Sequence, residues 1–139
     1  MPSPSRSSGA SRALVLWGPV ALYALAIFVE SSISHVPTLP SGFTDKDGHA
    51  LLYAGLAVLV LRAASGSRWD GVTFRAAGAA VAFAAVYGIT DEFHQWFVPG
   101  RTADVNDWMA DCTGAAIAVA VVLLVARFAR ERWNHRFHR

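Results

Sequence analysis

Three short segments of this sequence carry side chains whose types and spacing could do chemistry. In Asp45-Lys46-Asp47-Gly48-His49, the residues Asp45 and His49 are four apart and Tyr53 follows four later, so any helix holding them aligns all three on one face. Asp91, His94 and Gln95 share a face by the same rule, with Tyr87 one turn further in and Glu92 on a different flank. Asp107 and Asp111 form another such pair, and Gly114 continues their face. A histidine titrating near neutrality, His49 or His94, suits a general base, and a partly buried carboxylate among Asp91, Glu92, Asp107 and Asp111 suits a general acid. The candidate catalytic residues are therefore His49, Asp91, Glu92, His94 and Asp107. Arg101 presents a planar fork matched to carboxylate or phosphate. With it, Asp45, Lys46, Tyr53, Gln95 and Asp111 are the candidate substrate-binding residues. Asp and His could instead hold a divalent cation that bridges to phosphate. No standard ligand motif such as H-E-x-x-H occurs, and Asp91-x-x-His94 is weak by itself, so the sequence assigns neither a metal ligand nor a cofactor.

What must position these residues follows from the apolar runs between them. The chain of 139 residues is 54% hydrophobic and only 16% charged, against about 25% charged in a soluble domain. Uncharged stretches cover 13–29, 50–61, 76–89 and 112–126. The last three fall short of the roughly 20 residues that a helix needs to cross a hydrocarbon core of about 30 Å. Counting that length from the arginines bounding them, Arg62, Arg75 and Arg127, extends each span into the polar segments. The second helix then starts near Gly42, the third runs to Gln95 and the fourth starts at Asp107. The expected fold is all-α: a polytopic membrane protein built as a four-transmembrane-helix bundle. Residues 1–12, rich in Ser, Pro and Gly, are expected as a disordered cytoplasmic tail, residues 13–129 as the bundle, and residues 130–139 as a basic cytoplasmic tail.

Charge sets the expected orientation. Ten of the twelve Lys and Arg lie on one side of these spans, leaving Lys46 and Arg101 on the other, where eight of the ten acids gather. The positive-inside rule then makes both termini cytoplasmic, in the cytoplasmic (inner) membrane of a bacterium, and the polar constellation extracytoplasmic. Ala24-Leu25-Ala26 resembles a signal-peptide cleavage site, but the apolar run continues to Val29 and reads better as a retained span. The single Cys112 excludes an intrachain disulfide and reads as a small packed residue. The Arg-rich end from Arg127 to Arg139, with His135 and His138, fits the anionic inner leaflet, and no nucleic-acid partner is expected. Small residues four apart at Gly78/Ala82 and Gly114/Ala118 would let helix backbones approach closely in lipid, and association of so thin a bundle is plausible.

These residues resemble the VanZ-like membrane proteins. The matching pieces are Phe28-Val29-Glu30-Ser31-Ser32, then Asp45-Lys46-Asp47-Gly48-His49 with Tyr53. Next come Thr90-Asp91-Glu92-Phe93-His94-Gln95 through Trp96-Phe97-Val98-Pro99-Gly100-Arg101, and Asp107-Trp108-Met109-Ala110-Asp111 with Gly114. Order and spacing hold from about residue 14 to residue 125. The family pattern often has Asn where this chain has Asp111, which adds a carboxylate here. The resemblance implies an envelope protein and a link to resistance against teicoplanin, a lipid-tailed glycopeptide acting at the outer membrane surface. Three functions are then in play. One is an enzyme or binder of a lipid-linked cell-wall precursor or another anionic envelope substrate. A second is a non-enzymatic module that shields precursor or excludes a lipoglycopeptide, with the polar cluster serving only bundle structure. The third, an ion-coupled transporter, ranks last because 76–89 and 112–126 carry no midplane charge.

Overall fold

The computed structural model describes residues 6–34 and 42–137, and among them every regular element is helical. Helix α1 spans Arg6–Ser31, α2 Asp45–Ala64, α3 Phe74–Gln95 and α4 Val105–Phe137. Three of them, α1, α2 and α4, are long and apolar enough to cross a membrane. Helix α3 has spanning length, 22 residues, but Arg75 at one end and Asp91 and Glu92 at the other lower its apolar character. Two expected boundaries move. Helix α1 already begins at Arg6, because Ala10, Ser11 and Arg12 permit helix and lead directly into the apolar run. Helix α4 continues to Phe137 through most of the expected C-terminal tail, where Arg127 and Glu131 form an i, i+4 ion pair at 3.1 Å. Residues 1–5 and 138–139 of the two tails lie outside the described residues.

Local chemistry sets the helix starts that carry polar groups. Thr44 caps α2 in a reciprocal box: its Oγ1 accepts from Asp47 N at 3.3 Å, and its own N donates to Asp47 Oδ2 at 2.8 Å. Asp47 is thus committed to the cap and points away from the cluster described below. Thr73 Oγ1 caps α3 by accepting from Ala76 N at 3.2 Å. Pro19 lies inside α1 and has no N–H for the carbonyl of Val15. Arg62 Nη1 of α2 donates to that carbonyl at 3.5 Å instead, tying the arginine end of α2 to α1.

The chain runs up and down, so the ends of α1 and α3 meet the starts of α2 and α4. Helix α2 is central and packs on the other three, most extensively on α4, while α1 is peripheral and leaves α4 untouched. The interior is made of Tyr53, Leu56, Ala57 and Val60 against Ala77, Ala80 and Ala84 of α3 and Ala115 and Val119 of α4. Large apolar side chains such as Leu14, Leu22, Leu25, Val86, Ile117 and Leu124 face outward. Small residues inside and a broad apolar exterior are the arrangement of a helical membrane protein, whose exterior is solvated by lipid.

Gly114 shows how close α2 and α4 come: a Cβ there would collide with the backbone carbonyl of Ala50. Because backbone and not a flexible side chain opposes it, the helices themselves must separate. Gly114→Ala is therefore expected to destabilise the bundle by about 1–3 kcal/mol, as overpacking does. Unfolding in detergent measures this, and an unchanged midpoint contradicts it.

Candidate functional site

One end of the bundle collects the carboxylates, and the opposite end carries Arg62, Arg75 and Arg130. At the acidic end the first two turns of α2 and α4 lie side by side, with the last turns of α3 across them. His49 Nδ1 lies 3.0 Å from Asp111 Oδ1, both residues being buried. Tyr53, one turn deeper, is fully buried with its hydroxyl turned toward Asp91. Gly88 leaves the space for this packing: a Cβ there would sit 3.0 Å from Trp108 Cδ1 and 3.1 Å from Asp111 Oδ2. Trp108 is in turn held by its Nε1–H donating to Ala85 O at 3.0 Å.

Helix α3 supplies three more groups. Gln95 Nε2 donates to Asp91 Oδ2 at 3.2 Å, and Asp104 N donates to Glu92 Oε2 at 2.8 Å. Buried polar atoms are normally satisfied. The Tyr53 hydroxyl and Asp91 face each other, but Glu92 Oε1 and Asp111 Oδ2, from two different helices, have no partner among the described residues and mark a place prepared for something else.

Nearer the rim, Lys46 Nζ donates to Asp107 Oδ1 at 2.7 Å and to Asp104 Oδ2 at 3.2 Å. Asp104 stands before α4, where the backbone N–H of Asn106, Lys46 and the Asn106 amide hold its carboxyl below the usual carboxylate range. A depressed folded pKa gives stability that is present above the unfolded value and lost as pH falls through the folded one. The Lys46–Asp104 link should accordingly persist through mild acidification. Carboxyl NMR of Asp104 reads this, and a titration midpoint at or above that of a free aspartate contradicts it. Asp45, Lys46, Gln95, Gly100, Arg101, Thr102, Asp104 and Asp107 surround a polar hollow of about 560 Å³. Against it lies an apolar groove of about 330 Å³ bounded by Ile89, Glu92, Val105 and Trp108, and the two share Ala103 and Asp104.

Arg101 closes one wall. Its side chain is 9% exposed, Nη2 is 3.6 Å from Glu30 Oε1 of α1, and neither Nε nor Nη2 makes a hydrogen bond among the described residues. The cation is buried yet only loosely engaged.

Of the residues singled out in the sequence, Asp45, Lys46, His49, Tyr53, Asp91, Glu92, Gln95, Arg101, Asp107 and Asp111 meet at this end. His94 does not join them: its Nε2 is 3.0 Å from Ser32 Oγ and its ring lies 4.3 Å from that of Phe28, so it docks α1. Glu92, expected on a separate flank, faces His49 and Asp111 instead. Asp104 and Trp108 were not singled out. The spacing of Asp104 to Asp107 could have drawn attention to the former, whereas the use of its backbone N–H for Glu92 leaves no sequence signal.

A family model described as VanZ/LLP1 matches residues 25–126, which include every residue of the site. No curated protein and no solved structure matches the chain.

Proposed function

Because the chain belongs to the VanZ/LLP1 family, we propose that it is a cell-envelope membrane protein whose acidic end binds, or acts on, a lipid-linked anionic substrate. One observation carries this reading: the polar hollow walled by Arg101 adjoins an apolar groove, and the pair fits a molecule with a charged head and a hydrocarbon tail. The loosely engaged Arg101 guanidinium suits phosphate or carboxylate, and Lys46 stands beside it at the rim. His49 and the carboxylates of Asp91, Glu92 and Asp111 supply proton acceptors and donors in the buried cluster, which meets the hollow through Gln95 and the groove through Glu92. The charge partition supports a reading with this end outside the cytoplasm and both termini within it, and on that reading a bacterial cell-wall precursor carried on lipid is the favoured substrate.

The test uses purified protein in lipid nanodiscs with a polyprenyl-diphosphate-linked saccharide. Wild type is expected to bind or convert it and Asp91→Ala to do so measurably less. Neither binding nor turnover, with the two proteins alike, overturns the proposal.

A second reading is supported by the cross-helix pairs Lys46–Asp107, His49–Asp111 and Arg101–Glu30, which would also close the end of a bundle that acts without chemistry. Such a module would shield precursor or exclude a lipid-tailed glycopeptide such as teicoplanin. It predicts that any resistance phenotype survives single substitutions at His49 and Asp91 that preserve folding, whereas loss of phenotype at normal expression favours chemistry.

A further inference from the structure

The floor of the site has a charge imbalance that its own side chains do not resolve. Asp91, Glu92 and Asp111 are 5%, 9% and 0% exposed, and among the described residues one oxygen each of Glu92 and Asp111 is without a partner. The groups facing them are His49 from α2, the amide of Gln95 on α3, the phenol of Tyr53 and the backbone N–H of Asp104. Only His49 among these can carry positive charge. Lys46 is occupied at the rim by Asp104 and Asp107, and Arg101 faces Glu30. Burying several carboxylates against one imidazole is costly unless a cation or protons compensate.

We infer that His49, Glu92 and Asp111 form a divalent-cation site whose open coordination positions face the lipid-linked phosphate. One ligating atom from each of the three lies within 4.8 Å of the others. Metal bonds of about 2.0–2.2 Å place tetrahedral donor atoms about 3.3–3.6 Å apart, so side-chain adjustments of up to about 1.5 Å complete the set. The Glu92 Oε1 and Asp111 Oδ2 atoms, without partners among the described residues, are available lone pairs. Glu92 Oε2 is already anchored by the Asp104 N–H, the kind of outer contact that orients a ligand. One imidazole with carboxylates suits Zn²⁺ or Mn²⁺ better than an all-oxygen ion such as Ca²⁺. Three protein ligands leave positions for phosphate oxygens, and the cation would offset both the acids and the incoming anion. A second trio, Asp45, His49 and Asp107, meets the same distance test, but Asp45 is exposed and Asp107 is taken by Lys46. The inner trio is the better cage. The phosphate-bridging part of this inference rests on the function proposed above; the cation site itself does not.

Mn²⁺ titration of chelator-stripped, full-length protein in detergent, followed by electron paramagnetic resonance, tests it. Wild type should bind about one ion per chain, and Glu92→Gln should bind about tenfold more weakly or worse, since even outer contacts to a metal ligand are worth 10–100-fold. Asp70→Asn, exposed at the opposite end of the bundle, should match wild type. Wild-type binding no tighter than the detergent blank overturns the site, independently of how any variant folds. So does a Glu92→Gln curve that matches wild type, or an Asp70→Asn loss as large as that of Glu92→Gln. Binding of a polyprenyl diphosphate with and without chelator separates the two claims. Chelator-insensitive lipid binding overturns the bridging role and leaves the substrate proposal standing. Mn²⁺ binding without any lipid binding supports the site and removes the substrate.

Discussion

Replacing His49 with alanine should cost the bundle about 3–5 kcal/mol, the range seen when one partner of a buried ion pair is removed. Three effects add. The Asp111 Oδ1 partner at 3.0 Å disappears. Glu92 and Asp111 lose the imidazole that faces them both. The imidazole volume between α2 and α4 empties, beside the close Ala50–Gly114 approach that keeps the helices from collapsing inward. Asp111→Asn is the informative contrast. It keeps an acceptor oxygen toward His49 and removes one of the crowded carboxylates, so its cost should be well below that of His49→Ala. Reversible unfolding in detergent or bicelles measures both, and a His49→Ala loss under about 1 kcal/mol would show that the acids are not held by this imidazole.

The second large effect is on binding. Arg101→Gln should weaken a lipid-linked phosphate about 10- to 150-fold, which corresponds to the roughly 1.5–3 kcal/mol of hydrogen bonds to a charged group. Arg101 is already desolvated, and its one ion pair among the described residues, Nη2 to Glu30, is long, so little must be broken before a ligand is met. Glu30 competes at 3.6 Å but is itself 40% exposed and can turn outward. Arg101→Lys keeps the charge and loses the fork, so it should recover only part of the affinity. Equal affinity for wild type and Arg101→Gln would place the head group elsewhere.

Much of this arrangement was legible in the residues. Bilayer thickness demands more helix than the apolar runs supply, and the polar segments do form the outer turns: α2 begins at Asp45 and α3 ends at Gln95. Helical spacing also put Asp45, His49 and Tyr53 on one face and Asp91, His94 and Gln95 on another, and of these His94 turns to α1 instead. It could not say which neighbour each flank meets. Glu92 and His94 stand on opposite flanks of Asp91, and only the placement of α4 on one side and α1 on the other sends Glu92 into the cluster and His94 onto Ser32 and Phe28. The helix ends moved because a helix does not stop where charge begins; Arg12 and Arg130 are good helix formers. The repair of the Val15 carbonyl by Arg62 depends on helix pairing and has no sequence signature.

Native mass spectrometry of the protein extracted from its own membrane tests the central claim, that the acidic end is a built site for an anionic lipid. Wild type should retain a phosphate-bearing lipid that is depleted in Arg101→Gln prepared in parallel. The same lipid adducts on both proteins, or a wild type that retains none even when a polyprenyl diphosphate is supplied, would contradict it.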